Sequence, residues 1–392
     1  MKYYRLTGIL ALSMAVSCLT PAAVMADGPG DSNAAVSDNK GPGGAIGTGE
    51  NGGQGEEDTG ANTVQDPNDI SLKESSNPVV KPVAIYTYDQ MVQDIRTLQS
   101  RYGSRMRAES FGTSLDGRNL YEIVIGNQNA GKHVMIQAGI HGREYMTPLL
   151  VMKQLETALE FYDTANYKDE PLKNMLDKVQ VHFLPMVNPD GVCISQMGLG
   201  GLRSYDLRKV MEEGFQKDLE EERADITLDK YVLYCKGNGR GVDLNLNFPA
   251  NWDNIIMSPG HASYMGYRGE SAGSEPETKG VMNLVKKYHW SASVSYHSRG
   301  EVIYWDFPGN KVKEESRMLA ESFADDTGYQ LLGADGKGGF KDWMQIKDNP
   351  VPSITVETGT AECPMPFSEW AGVWSKNRAG WAAALYYGYT HG

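Results

Sequence analysis

The sequence predicts an α/β fold, because strand-like and helix-like patterns alternate along most of the chain. Residues 133–139 are a short apolar run typical of a buried strand, and strand-like runs also span 291–296 and end at Glu357. Apolar residues recur at helical spacing over 87–102 and again after Thr147. Thr147 is predicted to cap a helix that begins at Pro148, since proline suits the first helical position.

The remaining elements continue this alternation. Strands are predicted over 121–125 and 179–187, and the NPDG sequence at 188–191 is predicted to be a turn. Ser274 and Glu277 have the spacing of a capping box, which predicts the start of another helix. Helices are also predicted over 312–323 and 368–387. The large apolar residues of the second are expected in the core rather than on a binding surface; they are Trp370, Trp374, Trp381 and Leu385.

A candidate metal site follows from where the histidines and acids lie. His141 and Glu144 come just after the first predicted strand, while His297 and Glu357 end two others. Open α/β sheets bind ligands at the carboxyl ends of their strands. A His-x-x-Glu pair alone is more often an ordinary surface pair. Three strand ends that supply two histidines and two carboxylates favour Zn²⁺, which in catalytic sites usually has three protein ligands and a water.

Six motifs occur here in the order in which zinc carboxypeptidases have them. They are HGRE (141–144), NPDG (188–191), GVDLN (241–245), SEPE (274–277), SYHS (295–298) and TVETG (355–359). Residues 83–388 therefore resemble that family, and within it the bacterial γ-D-glutamyl-meso-diaminopimelate peptidases. The resemblance implies a mixed, mostly parallel twisted sheet flanked by helices in a single catalytic domain, 83–392. It also implies one zinc ion per chain held by His141, Glu144 and His297, with Glu357 as the catalytic carboxylate.

The resemblance also suggests roles for the residues around the metal. Asp243 matches a residue that holds a ligand imidazole from behind, although it could instead be a turn cap. Arg143 matches a substrate-binding position, with a structural ion pair as the alternative. The family has an arginine that polarises the substrate carbonyl where Lys236 stands here, and Arg240 is a competing candidate for that task.

Two family residues are missing, and their absence bears on the substrate. The arginine that grips a C-terminal carboxylate is replaced by Leu246, and alignment puts Ala334 where a tyrosine is expected, so no catalytic tyrosine is assigned. Asn245 remains as a possible substrate contact but lacks charge. Arg299, close to His297, is the first choice of replacement anchor, ahead of three other cations: Arg203, Arg240 and Arg268.

The predicted substrate is consequently a peptide with its carboxylate in another position, such as a peptidoglycan stem peptide or muropeptide. A γ-D-glutamyl-diaminopimelate bond is the favoured target. Two alternatives stay open: an ordinary carboxypeptidase that releases C-terminal residues, and a non-catalytic peptidoglycan-binding protein. Retention of His141, Glu144, His297 and Glu357 together speaks against the second.

The N-terminal region predicts export. Residues 1–26 have the pattern of a signal peptide, with Lys2 and Arg5 before an apolar stretch that is too short to span a membrane and Ala26 at the expected cleavage site. Cys18 only loosely fits a lipid-anchoring motif. Residues 27–82 are rich in Gly, Asn, Asp and Ser and are predicted to be a disordered tether. The mature protein is expected to be secreted or associated with the cell wall.

Charge excludes some partners. The chain has 37 basic and 50 acidic residues, and loss of Lys2 and Arg5 changes its net charge from −13 to −15. Such acidity argues against nucleic acid or anionic lipid as the main partner.

The segment between NPDG and GVDLN, residues 192–240, is dense in charge and is predicted either to form a lid beside the cleft or to be a solvated charged helix. The mature chain keeps three cysteines, so at most one internal disulfide can form. The three are Cys193, Cys235 and Cys363, and a Cys193–Cys235 bond is expected first.

Overall fold

The computed structural model describes residues 66–333 and 338–392. The predicted signal peptide with Cys18, residues 27–65 of the predicted tether, and Ala334 lie outside the described residues. Within the described part, no helix is long and apolar enough to cross a membrane.

An eight-stranded mixed sheet forms the centre of the described region, in the order β1-β2-β6-β3-β7-β10-β8-β9. A separate two-stranded ribbon pairs β4 with β5. The strands are β1 (Met106–Thr113), β2 (Asn119–Ile125), β3 (Lys132–Ala138), β4 (Asn166–Tyr167), β5 (Glu170–Pro171), β6 (Val179–Leu184), β7 (Trp290–His297), β8 (Val302–Tyr304), β9 (Gln330–Leu332) and β10 (Ser353–Glu357).

The four central strands, β6, β3, β7 and β10, run parallel to one another. They are almost entirely buried, as expected of parallel strands covered on both faces. Antiparallel pairs join β1 to β2, β2 to β6, and β8 to β10. The predicted mixed, mostly parallel sheet is thereby confirmed. Strand β1 was not predicted, because its mixture of charged and partly exposed residues lacks the apolar run of a buried strand.

Helices cover both faces of the sheet. They are α1 (Tyr88–Tyr102), α2 (Met146–Glu160), α3 (Leu172–Leu176), α4 (Pro189–Met197), α5 (Tyr205–Glu220), α6 (Leu228–Leu233), α7 (Pro276–Val285), α8 (Lys313–Thr327), α9 (Phe340–Ile346), α10 (Trp370–Asn377) and α11 (Gly380–His391). Alternate residues of β3 serve the two faces: Val134 and Ile136 join the core beneath α2 and α11, while Met135 joins the core beneath α7 and α9.

The predicted start of one helix and the predicted NPDG turn were wrong. Helix α2 begins at Met146, two residues before Pro148, because the Thr147 hydroxyl is instead used within the preceding turn: it accepts from the Gly139 N–H (3.1 Å) and donates to the Glu144 carbonyl (2.9 Å). The NPDG sequence opens α4 rather than forming a turn, with Asn188 as its N-cap.

The predicted capping box is absent as well. Helix α7 begins at Pro276, one residue after the Glu275 N-cap, so the Ser274 hydroxyl donates to Glu275 at 2.7 Å instead of capping the helix. The predicted helix over 368–387 is interrupted between α10 and α11, but its three tryptophans and Leu385 are buried in the core as expected.

Residues 66–82 are not a free tether but pack against the domain built on the eight-stranded sheet. Ile70 and Val80 are completely buried, and the Val79 N–H donates to the Glu156 carboxylate at 2.5 Å. The Trp374 indole N–H donates to Glu74 at 2.7 Å. The prediction failed here because isolated apolar residues that fill holes in a preformed surface leave no periodic pattern in the sequence.

The charged segment 192–240 forms a packed helical layer. Met211 and Phe215 of helix α5 pack in a small core together with Tyr231 of α6, while the charged face of α5 remains exposed. The prediction of a solvated charged helix therefore holds only for the outer face of α5. Cys193 and Cys235 are buried in this region as free thiols, so the expected disulfide was wrong.

Candidate active site

The ends of three adjacent parallel strands bring the candidate residues together. Strand β3 is followed by a turn at Gly139, where φ is +64° and an added Cβ would lie 2.9 Å from the Pro148 ring. This turn leads directly to His141. Strand β7 ends at His297 and β10 at Glu357, and these two residues are paired in register across the parallel strands.

His141, Glu144 and His297 form a convergent cluster. Nδ1 of His141 lies 2.7 Å from one oxygen of the Glu144 carboxylate, and Nδ1 of His297 lies 3.2 Å from the other. All three side chains are buried, and their potential ligand atoms lie within 4.8 Å of one another. The Ser298 backbone N–H also donates to Glu144 at 3.2 Å and orients the carboxylate.

Burial and charge act in opposite directions on this cluster. Burial alone would lower the pKa of His141, but the carboxylates of Glu144 and Asp243 raise it to about 9. Burial would raise the pKa of Glu144, yet the two histidines hold it well below its usual range. Burial lowers the pKa of His297 more than Glu144 raises it. A cation is therefore favoured at the point where the three side chains meet.

The donor set fits zinc. Two imidazole nitrogens and a carboxylate are the ligands of many catalytic zinc sites. Both histidines direct Nδ1 towards the shared carboxylate, which leaves Nε2 of His141 to interact elsewhere. That atom lies 3.2 Å from Oδ1 of Asp243, the arrangement by which a carboxylate orients a metal-binding imidazole.

Glu357 lies at the same sheet edge and is buried next to His297. The adjoining residue fixes this pairing, because the Thr358 N–H and hydroxyl both donate to the His297 carbonyl, at 2.9 and 3.0 Å. The structure thus brings Glu357 to the edge where the predicted ligands converge.

Lys236 and Arg143 also lie at this site. Lys236 is buried, and its positive charge lowers the pKa values of His141, His297 and Asp243. Arg143 follows the turn that carries His141, and its backbone N–H donates to the Cys235 carbonyl at 2.8 Å. Arg143 is thus next to Glu144 in the chain, whereas Lys236 is distant in the chain and comes close enough in space for its charge to act on both histidines.

The other candidate substrate contacts are already engaged. Arg240 forms two hydrogen bonds to Glu275, at 2.8 and 3.0 Å, and Arg299 is paired with the exposed Glu362. The carboxamide oxygen of Asn245 accepts from the Phe340 N–H at 3.1 Å, so only its amide group is left for a substrate. Leu246 is buried, with 8% of its surface exposed.

The remaining two cations considered as anchors serve the fold. Arg203 directs its guanidinium to the Gly117 carbonyl at 3.3 Å. Arg268 stacks on the Trp252 ring, 4.1 Å from its centroid, and donates to backbone carbonyls of the same loop. Sequence reasoning overlooked Asn188, although its place at the head of NPDG, next to the strand end, was a usable signal.

Comparison with known proteins agrees with this geometry. The family model described as zinc carboxypeptidase matches residues 91–380. Among curated proteins, the γ-D-glutamyl-L-diamino acid endopeptidase 1 of Lysinibacillus sphaericus is 27% identical over 304 residues, covering 77% of this chain and 72% of that protein. The uncharacterized protein YqgT of Bacillus subtilis is 28% identical over 272 residues, covering 67% and 68%.

Solved structures show the same fold. Thrombin-activatable fibrinolysis inhibitor superposes with a TM-score of 0.60 at 20% identity, covering 83% of this chain and 80% of its own. Carboxypeptidase A from Helicoverpa armigera gives a TM-score of 0.55 at 19% identity, with 80% and 77% covered.

Proposed function

The chain belongs to the zinc carboxypeptidase family and is a zinc-dependent metallopeptidase, and from this premise we propose that it hydrolyses γ-D-glutamyl-diaminopimelate bonds in cell-wall peptides. The observation that carries the proposal is Leu246. In carboxypeptidases of this family an arginine at this position grips the substrate's terminal carboxylate, whereas here the position is apolar and buried. The L. sphaericus relative, whose name specifies a γ-D-glutamyl-L-diamino acid bond, supports the same substrate class.

The metal would be held by His141, Glu144 and His297, the three side chains whose potential ligand atoms lie within 4.8 Å of one another. Bound zinc supplies a water of lowered pKa and polarises the scissile carbonyl. Asp243 accepts a hydrogen bond from the Nε2–H of His141, which leaves the lone pair of Nδ1 in that ring available to a metal. These contacts orient the His141 ring and the Glu144 carboxylate before substrate arrives.

Glu357 is the general base and then the general acid. Its carboxylate takes the proton of the attacking water and returns it to the leaving amine, a contribution typically of ~10²- to 10⁴-fold. Lys236 stabilises the negative charge that develops on the carbonyl oxygen, as a point charge without the fork geometry of arginine. Arg143 binds the peptide beside the metal, in keeping with its position in the HGRE motif.

Because Leu246 replaces the arginine that binds a C-terminal carboxylate, peptides that depend on that contact are expected to be poor substrates. A C-terminal carboxylate placed against Leu246 would lose water without gaining a charged partner, which costs several kcal/mol. Asn245 cannot compensate, because a neutral amide forms weaker bonds to a carboxylate than a guanidinium does. A stem peptide avoids this cost when its carboxylates meet cations elsewhere. Arg299 is the proposed anchor, and its exposed partner Glu362 must then release it.

The deciding experiment compares kcat/KM on a γ-D-Glu-diaminopimelate peptide with kcat/KM on blocked dipeptides of the carboxypeptidase type. We expect the muropeptide to be the better substrate by at least ~10-fold, the effect of about 1.4 kcal/mol in the transition state. A higher value on the blocked dipeptides would overturn the proposal and favour an ordinary carboxypeptidase.

A matched pair of variants tests the role of Leu246 directly. Leu246→Arg should raise activity on blocked dipeptides and leave the muropeptide activity no higher, because it restores a partner for a C-terminal carboxylate. Leu246→Met, which keeps the volume and the apolar character, should change neither activity by more than about twofold. Equal behaviour of the two variants would show that position 246 does not determine specificity.

We also propose that residues 1–26 direct export and that the protein acts outside the cell or at the wall. The substrate class requires this location, and the acidic composition suits a soluble exported protein. N-terminal sequencing of protein recovered from culture medium should find a chain that begins after Ala26. Recovery of a lipid-bearing chain that begins at Cys18 would instead indicate anchoring at that residue.

A further inference from the structure

Three backbone segments meet behind the metal site, and at two glycines one backbone contacts another directly. The first is the turn 139–144, the second is the start of α4, and the third is the loop 235–243. A Cβ at Gly142 would lie 2.3 Å from the Gly191 carbonyl oxygen, and a Cβ at Gly191 would lie 2.3 Å from that of Gly237. Because the backbones touch, side-chain rotation cannot absorb a shift of one segment relative to the others.

Asn188 lies at the centre of this junction and is completely buried. Its carboxamide nitrogen donates to the carbonyl oxygens of Ile140 (3.0 Å), Gly237 (3.1 Å) and Lys236 (3.3 Å). Its carboxamide oxygen accepts from the Gly191 N–H at 2.9 Å, which caps α4. One side chain thus connects all three segments.

The segments that Asn188 connects carry the groups of the reaction. The turn 139–144 holds His141 and Glu144, and the loop 235–243 holds Lys236 and Asp243. Only two direct backbone hydrogen bonds join the turn to the loop, from the Gly142 N–H to the Lys236 carbonyl (3.1 Å) and from the Arg143 N–H to the Cys235 carbonyl (2.8 Å). The side chain of Asn188 adds to these bonds, because its amide donates both to the Ile140 carbonyl of the turn and to the Lys236 and Gly237 carbonyls of the loop.

We propose that Asn188 is a positioning residue of the hydrolytic centre, which sets the loop of Lys236 and Asp243 against the turn of His141 and Glu144. The inference rests on the roles proposed above for these four residues. A shift between the two segments would change the contact of His141 with Asp243, and loss of such outer contacts typically lowers metal affinity ~10- to 100-fold. It would also move Lys236 relative to the carbonyl, where misplacement by about 1 Å costs ~10²-fold in rate.

The test separates positioning from helix capping. Asn188→Ser keeps an efficient N-cap for α4, since serine and asparagine are comparable caps, but its hydroxyl is too short to reach the three carbonyls. Asn188→Asp also keeps the capping oxygen, and it turns a second oxygen towards the carbonyls in place of the amide donor. The matched control is Ser195→Ala on the same helix, which removes the buried hydrogen bond from Ser195 to the Leu233 carbonyl (2.5 Å).

Three measurements are made on the parent and on each variant. They are zinc affinity in competition with a chelator, the visible spectrum of the cobalt-substituted protein, and kcat and KM of the zinc-loaded protein. For both Asn188 variants we expect zinc affinity to fall ~10- to 100-fold, the cobalt spectrum to change, and kcat to fall at least ~10-fold with KM nearly constant. Ser195→Ala should lower Tm while leaving all three readouts unchanged.

Two results would overturn the proposal. One is an Asn188 variant with parental zinc affinity, cobalt spectrum and kcat, which would make the residue a helix cap only. The other is failure of both variants to fold while Ser195→Ala folds, which would make it a requirement of the fold. Zinc affinity and the cobalt spectrum need no substrate. An enzyme inactive on muropeptides would therefore refute the proposed function without affecting this test.

Discussion

Two clusters of two histidines and one glutamate lie at opposite ends of β3, and only one of them is built to bind a metal. At the carboxyl end, His141 and His297 both direct Nδ1 at the Glu144 carboxylate. At the other end, the groups form a chain across three adjacent strands: Glu122 contacts Nδ1 of His182 at 2.6 Å, and Nε2 of His182 contacts Nδ1 of His133 at 2.9 Å.

The geometry explains the difference. In the row Glu122–His182–His133, His182 uses both ring nitrogens for its neighbours. The three residues therefore cannot direct their potential ligand atoms at one point. In the convergent cluster the carboxylate uses a separate oxygen for each ring, and one point faces all three groups. Within the described residues, His141, Glu144 and His297 are the group of His, Cys, Asp and Glu side chains whose spacing suits a metal ion.

The two clusters also differ in charge. His141 faces two carboxylates, which raise its pKa to about 9 against the effect of burial. His133 is subject to burial and to the neighbouring His182, which together lower its pKa to about 4. The pKa of His182 is lowered as well, because burial outweighs its bond to Glu122. The first cluster attracts a cation, whereas the two histidines of the second stay neutral at pH 7 and pack beneath Tyr288 and Trp290.

The largest expected effect is loss of zinc when the convergent cluster is broken. His297→Ala should lower zinc affinity by more than the ~10- to 100-fold that loss of an outer partner costs, because a direct donor is removed. His133→Phe is the matched control in the other cluster and should leave zinc affinity unchanged. Zinc titration of both proteins measures this, and a His297→Ala protein with parental affinity would show that His297 is not a ligand.

The next largest effect separates the catalytic carboxylate from the ligands. Glu357→Gln should lower kcat by at least ~10²-fold while zinc content stays at the parental level, since the base is removed and the donors remain. Steady-state kinetics and metal analysis of the same preparation provide the two values. Residual activity within tenfold of the parent would assign the proton transfer to another group.

The contrast between the clusters also marks what the sequence could predict. The metal-site residues could be placed because each follows a recognisable strand, and parallel strands bring their carboxyl ends to one edge. The alternating pattern likewise predicted the fold class. The second cluster could not be anticipated, because His133, His182 and Glu122 are far apart in the chain and become neighbours only through the strand order β2-β6-β3.

Other errors have the same origin in tertiary contacts. Thr147 resembles an N-cap in isolation, but the metal-site turn uses its hydroxyl first. Residues 66–82 lack periodicity because they fill a surface that the rest of the domain provides. The cysteine count permitted a Cys193–Cys235 disulfide, but whether two sulfurs meet depends on the packing of the segment between them.

The smallest expected effect concerns the pH dependence of stability in the second cluster. A histidine whose pKa is lower in the folded than in the unfolded protein binds fewer protons when folded. Its neutral form therefore contributes stability that is fully present above the unfolded value of 6.5 and is lost as the pH falls towards about 4. The groups that act on His133 are His182, Glu122, Arg107 and His289.

His133→Phe removes this titration and retains a ring against Tyr288 and Trp290. The variant should be less stable at pH 7 by about 1–3 kcal/mol, because a buried nitrogen of His182 loses its hydrogen-bond partner. Between pH 7 and pH 5 it should then lose less stability than the parent, since up to one proton fewer is taken up on unfolding. Urea unfolding of both proteins at the two pH values measures the difference, and the zinc site contributes equally to both. Equal losses would mean that His133 titrates normally in the folded protein, so that the two clusters differ in geometry but not in charge.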